Sequence, residues 1–478
     1  MSAAQSPEDA RVPLWTKLAY GVGSVAYGVK DNGFAYLLLI FYNQVMHLPA
    51  QWVGAGIMLA LLVDAVTDPI VGYASDNLHS RWGRRHPFMY AAALPVAASY
   101  FVLWNPPSGL TPEQLFAYFL VVAILVRVFI TFYEIPSTAL VPELTEDYDE
   151  RTSMLGFRYF FGWWGGLGMA VLAYFVFLPE SEGGVRYQAG YGHYATLASL
   201  VMVVAIVASA AGTHHRIPSL RLPPDREGFD WRTSAGELRE TLSNRSFLVL
   251  FVSALFTAMA AGVSTSLNIY FNTFFWEFDT SQIGALTLPL FASAALALVL
   301  APRLSLRFGK KNAAIGVAAA AFAGAPLPIG LRLMEVFPAN GTAALFYTML
   351  TFNAVEVTLI VTASILISAM VADIVEDSEL ATGRRSEGVF FAARSFAQKA
   401  VHGIGTFMAT VILTIVDFPT DAKPGELSPE VVYDLGLVYV PVLMVLYICA
   451  LLLLTGYRIS RETHAENLRR LAEDSAGT

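Results

Sequence analysis

The stretch LLVDAVTDPIVGYASDNLHSRWGRRHP, residues 61–87, decides the fold. It starts inside an apolar run and ends in a basic cluster. Asp64 and Asp68 lie within the apolar part, four residues apart. A carboxylate at the centre of a bilayer costs roughly 3 kcal/mol on insertion scales and more in calculation, so such acids mark ion or substrate pathways. At i and i+4 the two share a helix face, about 6 Å apart. Carboxylates that close repel, and one takes a proton unless a cation lies between them.

Working outward, the rest of the chain has the same character. Of 478 residues, 55% are hydrophobic and 14% charged, against about 25% charged in soluble domains. Apolar runs of about 20 residues recur, each long enough to cross ~30 Å of hydrocarbon. They predict an all-α membrane protein of twelve spans, centred near Phe34, Leu62, Pro95, Leu125, Gly165, Ala205, Ala260, Ala292, Ala319, Leu359, Gly403 and Leu446. The net charge of −8 says little, because most charges sit in loops. The acidic, polar start MSAAQSPEDARVPLW has no basic n-region, so no cleaved leader is expected. The single Cys449 excludes an intrachain disulfide and a cysteine metal site.

The longest polar insert, residues 214–245, falls between spans six and seven. The expected organisation is therefore a six-span half at 1–213, a cytoplasmic linker at 214–245, a second half at 246–460 and a tail at 461–478. Lys and Arg concentrate in the loops after even-numbered spans and in the tails, with Arg186 and Lys423 as exceptions. The positive-inside rule then places both termini in the cytoplasm. The halves echo each other. SRWGRR (80–85) recurs as LRFGKK (306–311), and LVPELTEDYDER (140–151) recurs more weakly as AMVADIVEDSEL (369–380). Paired halves of this kind belong to transporters that rock around a midplane site.

At these residues the chain resembles the glycoside–pentoside–hexuronide:cation symporters of the major facilitator superfamily, the melibiose permease-like transporters. The resemblance runs from VDAVTDPIVGYASDNLHSRWGRR through FYEIPSTALVPELTEDYDERTSMLGFRYFF to MVADIVEDSELATGRRSEGVFFAARSFAQKAVHG, nearly the whole chain. It implies cation-coupled symport of a sugar, glycoside or uronide by alternating access. It also implies a coupling-ion site (Na⁺ or H⁺) at Asp64, Asp68, Thr131 and Glu134, and a substrate site at Asp31, Glu134, Arg158 and Lys399. The basic loops imply a cytoplasmic latch of Asp76, Arg81, Arg84, Arg85 and Glu143, with Arg307, Lys310 and Asp373 in the second half. Glu146 and Glu376 are further acids those loops could meet. Purely structural pairing remains open for the intramembrane charges, Asp31 with Lys30 or Arg158 above all.

Some positions depart from the family pattern. Thr67 replaces an Asn of the family's best-known member, Ile130 a Tyr and Thr138 a Trp, so two aromatic faces for a sugar ring are gone. Trp163 and Trp164 lie nearby, more in keeping with lipid contact or packing. A branch of the superfamily that moves lysophospholipids shares the DAxxDP motif, which makes an amphiphile the alternative substrate. Arg127, Glu356 and Arg394 are further charges within spans. Arg127, seven residues before Glu134, shares a face with it.

No HExxH, GxSxG, GxGxxG after a strand or P-loop stands in context. An enzyme and an ATP-driven pump are therefore not expected, nor any cofactor beyond the coupling ion. The expected partners are a small-molecule substrate and the bilayer of the cell membrane, with no nucleic acid, and the chain is expected to work as a monomer.

Overall fold

The computed structural model describes residues 12–145, 148–219, 245–382 and 387–457, and these are helices and short connections with no strand among them. Each of the twelve expected centres falls in a helix. Among the described residues nine helices are long and apolar enough to cross a membrane, and a bent pair, Thr280–Ser293 with Ala295–Phe308, makes a tenth. Pro289 lies within the first limb, a few residues before the bend. The other two expected spans carry charge. The run from Leu14 to Val45 holds Lys30 and Asp31 and is broken into short helical pieces. The helix Glu387–Ile415 holds Arg394 and Lys399.

Local chemistry sets several ends. Thr111 accepts a hydrogen bond from the Gln114 amide while the Gln114 side chain caps Thr111 in return, and Pro112 fills the first position of Pro112–Ala139. Ser428 accepts a hydrogen bond from the Val431 amide and Pro429 fills the first position of Pro429–Thr455, without the reciprocal side-chain bond. Inside Ala50–Asn77, Pro69 has no N–H to give the carbonyl of Ala65, four residues back.

The chain forms two compact units. The first holds described residues 12–219 with Asp279–Gly284 and Pro419–Ala422; the second holds the remainder. The short segments join the first unit through side chains. The Gln44 amide donates to the Pro419 carbonyl (2.9 Å) and accepts from the Ala422 N–H (3.1 Å), and Glu180 accepts from the Thr280 N–H (3.3 Å). Of the expected linker, residues 220–244 lie outside the described residues, as does Glu146.

Within each unit the spans pack in the same order. The first packs on the fifth and sixth, the fourth on the second and third, and the third on the sixth; the seventh to twelfth repeat this pairing. Glycines allow the closest approaches. A methyl on Gly28 would stand 2.0 Å from the Gly162 carbonyl oxygen, and one on Gly405 2.1 Å from that of Met259. Both first spans also end alike. FYNQVMHL (41–48) closes a widened turn by Met46 N–H to Phe41 C=O (2.9 Å), and FNTFFWEF (271–278) closes its own by Trp276 N–H to Phe271 C=O (2.9 Å). His47 and Glu277 then take positive φ (59° and 55°).

Candidate functional site

Helices Ala50–Asn77 and Pro112–Ala139 pack side by side and carry the centre of the site. Asp64 is 2% exposed and Thr131 1%. The Thr131 hydroxyl lies 3.1 Å from Asp64 Oδ1, 3.1 Å from Asp68 Oδ1 and 3.0 Å from the Arg127 carbonyl of its own helix. One hydroxyl thus stands beside both carboxylates, and its single proton can serve only one of these acceptors at a time. The other oxygen of Asp64, Oδ2, accepts a hydrogen bond from Arg127 at 3.1 Å. The Arg127 guanidinium stands over the Phe34 ring, 4.8 Å from its centroid.

Two carboxylates and a hydroxyl are oxygen donors, the kind a hard cation takes. The Thr67 hydroxyl is turned back onto the Asp64 carbonyl at 3.1 Å, so it is used within its own helix. Among the described residues no group of three or more His, Cys, Asp or Glu could hold a metal ion.

A second cluster surrounds Arg158, itself 6% exposed. Its Nη1 donates to the Ser137 hydroxyl at 2.9 Å, its Nη2 lies 3.5 Å from the Glu134 carbonyl, and its guanidinium covers the Tyr27 ring at 4.8 Å. Glu134, half-buried, sits within a turn of both Thr131 and Ser137, so the two clusters meet along one helix. Lys30 pairs with Asp31 at 2.5 Å; the lysine side chain is 4% exposed and the aspartate 57%. Asp31 therefore keeps an accessible oxygen while its charge is balanced. Trp163 and Trp164 are partly exposed, and Trp164 stacks on Phe160.

The basic loop divides. Arg84 and Arg85 both grip Glu143, through Nη2 at 2.6 Å and Nε at 3.0 Å, and Arg85 also pairs with Asp76 and donates to Ser75 at 2.8 Å. Arg81 is exposed and stacks over Trp82 instead. In the second unit, Arg307 is exposed over Phe308, Lys310 begins the helix Lys310–Gly324, and Lys311 donates to the Tyr457 carbonyl at 2.6 Å. Lys399 and Glu356 are half-buried on Glu387–Ile415 and Ala343–Thr382. The side chains of Asp373, Glu376 and Arg394 lie outside the described residues.

Sequence reading grouped Arg127 with Glu134 by helical spacing; the structure puts its charge on Asp64, across a helix pair. The i, i+4 step from Arg127 to Thr131 puts the two on one face of their own helix but does not say which residue of another helix they meet.

The sequence model of the MFS/sugar transport protein family matches residues 19–461. The chain belongs to that family. It is 27% identical to an uncharacterized symporter of Synechocystis sp., with 98% of each chain covered. It is 24% identical to the isoprimeverose transporter of Lactiplantibacillus pentosus, over 90% of this chain and 86% of that one. It is also 25% identical to a sphingosine-1-phosphate transporter of Xenopus tropicalis, over 97% and 91%. Among solved structures, a D-xylose–proton symporter superposes with a TM-score of 0.63 at 15% identity, covering 93% of this chain and 98% of its own, a likeness of fold.

Proposed function

We propose that this chain is a cation-coupled symporter of a sugar, glycoside or uronide, working by alternating access across the cell membrane. The observation that carries the reading is Asp64, buried, and Asp68, half-buried, on one helix face with the Thr131 hydroxyl 3.1 Å from an oxygen of each. Binding a cation there relieves the repulsion between the acids and tightens the helix pair that carries them. Glu134, one turn along the helix from Thr131, and Arg158, which reaches that helix from Tyr148–Leu172 through Ser137, would read substrate hydroxyls or a uronate carboxylate. A guanidinium does so with paired donors, and a carboxylate accepts hydroxyl hydrogens in pairs. Asp31, accessible and charge-balanced by Lys30, would add an acceptor, and the family resemblance adds Lys399.

Loading the ion site thus changes the helix that also presents the sugar site, which is the link symport requires. The Arg84–Arg85–Glu143–Asp76 network would serve as the cytoplasmic latch, with Arg307, Lys310 and Asp373 as its second-half equivalent. The names of the symporter and isoprimeverose relatives support this reading. The sphingosine-1-phosphate relative, with the loss of aromatic side chains at Ile130 and Thr138, favours an amphiphile as the second reading. Uptake by proteoliposomes, under imposed Na⁺ or pH gradients and against glycosides, uronides and lysophospholipids, tests both. Ion-driven accumulation of a glycoside or uronide is the expected result. Movement of lysophospholipid alone would overturn the sugar assignment.

A further inference from the structure

The oxygens of Asp64 are already engaged by groups of this chain. Oδ1 faces the Thr131 hydroxyl and Oδ2 the Arg127 guanidinium, each at 3.1 Å. Arg127 is 6% exposed. A guanidinium is always charged in a protein, so this cation cannot be removed by deprotonation. Asp64 is the carboxylate it pairs with among the described residues. Its Nε is buried with no hydrogen-bond partner there, and its flat face rests on Phe34. A buried cation held this way depends on its one carboxylate, because a separated partner would leave charge uncompensated in a medium of low dielectric.

Sodium needs several oxygens converging on a small point charge. Placed on Asp64 here, it would meet a fixed positive charge within a few ångströms and compete with it for the same carboxylate. The oxygen set of Asp64, Asp68 and Thr131 suits a hard cation, yet the position on Asp64 is filled by a tethered organic one. We propose that Arg127 is the ion-selectivity residue of this transporter: its guanidinium takes the place on Asp64 that a coupling sodium would occupy, and so excludes Na⁺. This rests on the reading that Asp64 and Asp68 form the coupling-ion site. It assigns Arg127 a role distinct from those acids, since its loss should add an ion rather than remove one.

The test is direct sodium binding by the purified full chain, measured as ²²Na⁺ retention and as the shift in unfolding temperature between choline chloride and NaCl. The wild type should retain no ²²Na⁺ above background, and its unfolding temperature should be the same in the two salts. Arg127→Met should gain saturable ²²Na⁺ retention and a rise in unfolding temperature with NaCl, because ligand that binds only the folded state stabilises it. Arg127→Met leaves Asp64 without its guanidinium, so it could lose stability without sodium. Arg127→Met/Asp64→Asn removes both charges, should fold without sodium, and should retain none. Saturable sodium binding by the wild type would overturn the proposal while leaving the symport reading intact. So would a folded Arg127→Met that stays blind to sodium. Wild-type uptake indifferent to both Na⁺ and pH gradients would sink the symport reading itself, and the proposal with it.

Discussion

At the scale of single residues, Arg158 gives the sharpest test of the substrate site. Its two donor edges go to Ser137 and the Glu134 carbonyl while its face lies on Tyr27. Arg158→Lys keeps the charge and loses the planar fork. Substrate affinity, read by isothermal titration or competition, should fall at least tenfold, which is about 1.4 kcal/mol, at normal expression; unchanged affinity would make Arg158 a packing residue. Glu143 is tested by stability. Its side chain is 8% exposed and it is shared by two guanidiniums, of which Arg85 also pairs with Asp76. Glu143→Gln leaves Arg84 without a carboxylate and Arg85 with Asp76 alone, a loss of about 1–3 kcal/mol. A clear drop in unfolding temperature in detergent is expected, and an unchanged one would show the network to be solvated. Asp64, Asp68 and Arg158 were legible in the sequence because charge inside an apolar run stands out against its neighbours. The partner of Arg127 was not, because helical spacing orders residues along one helix and says nothing of which face of another helix they meet.

Elements were legible where their apolar period was long and uninterrupted. The twelve centres fall in helices, but the first span hid its breaks. Its widened turn at Phe41–Val45, and the matching one at Phe271–Phe275, are set by backbone hydrogen bonds that leave no side-chain pattern. The glycines were partly legible: GGLGMA (165–170) suggests close packing, yet only some of its members provide it. A methyl on Gly166 would meet the Gly28 carbonyl at 2.5 Å, whereas around Gly168 there is open space. This separates two substitutions of the same chemistry. Gly28→Ala should destabilise by about 1–3 kcal/mol through overpacking. Gly168→Ala should be neutral or stabilising by roughly 0.5 kcal/mol, since alanine loses less backbone entropy in a helix. Thermal unfolding of the two variants side by side checks the close approach of the first and fifth spans, and equal effects would refute it.

Across the whole molecule, the repeated pairing of spans and the repeated turn at Phe41 and Phe271 make the two units structural equivalents. Their chemistry is unequal: Asp64, Asp68, Arg127, Thr131, Glu134 and Arg158 all belong to the first unit. The proposed ion site and most of the proposed substrate contacts therefore fall in one half, while on the proposed mechanism the equivalence of the halves would let the loaded form reorient. This makes two modes of transport separable. Uphill accumulation needs an ion gradient and an intact ion site. Exchange of labelled for unlabelled substrate, counterflow, needs only binding and reorientation, and a channel or receptor does not show it. Asp68→Asn removes one acid of the pair but keeps an oxygen near Thr131, 3.1 Å from the present carboxylate. Concentrative uptake by this variant should fall to the level of equilibration without an ion gradient, while counterflow in vesicles preloaded with substrate persists at a measurable fraction of the wild-type rate. Accumulation against a gradient by Asp68→Asn would remove Asp68 from the coupling site. Loss of counterflow along with accumulation, in a protein that still folds and still binds substrate, would instead place Asp68 among the groups needed for reorientation, because binding alone would no longer be enough to carry substrate across.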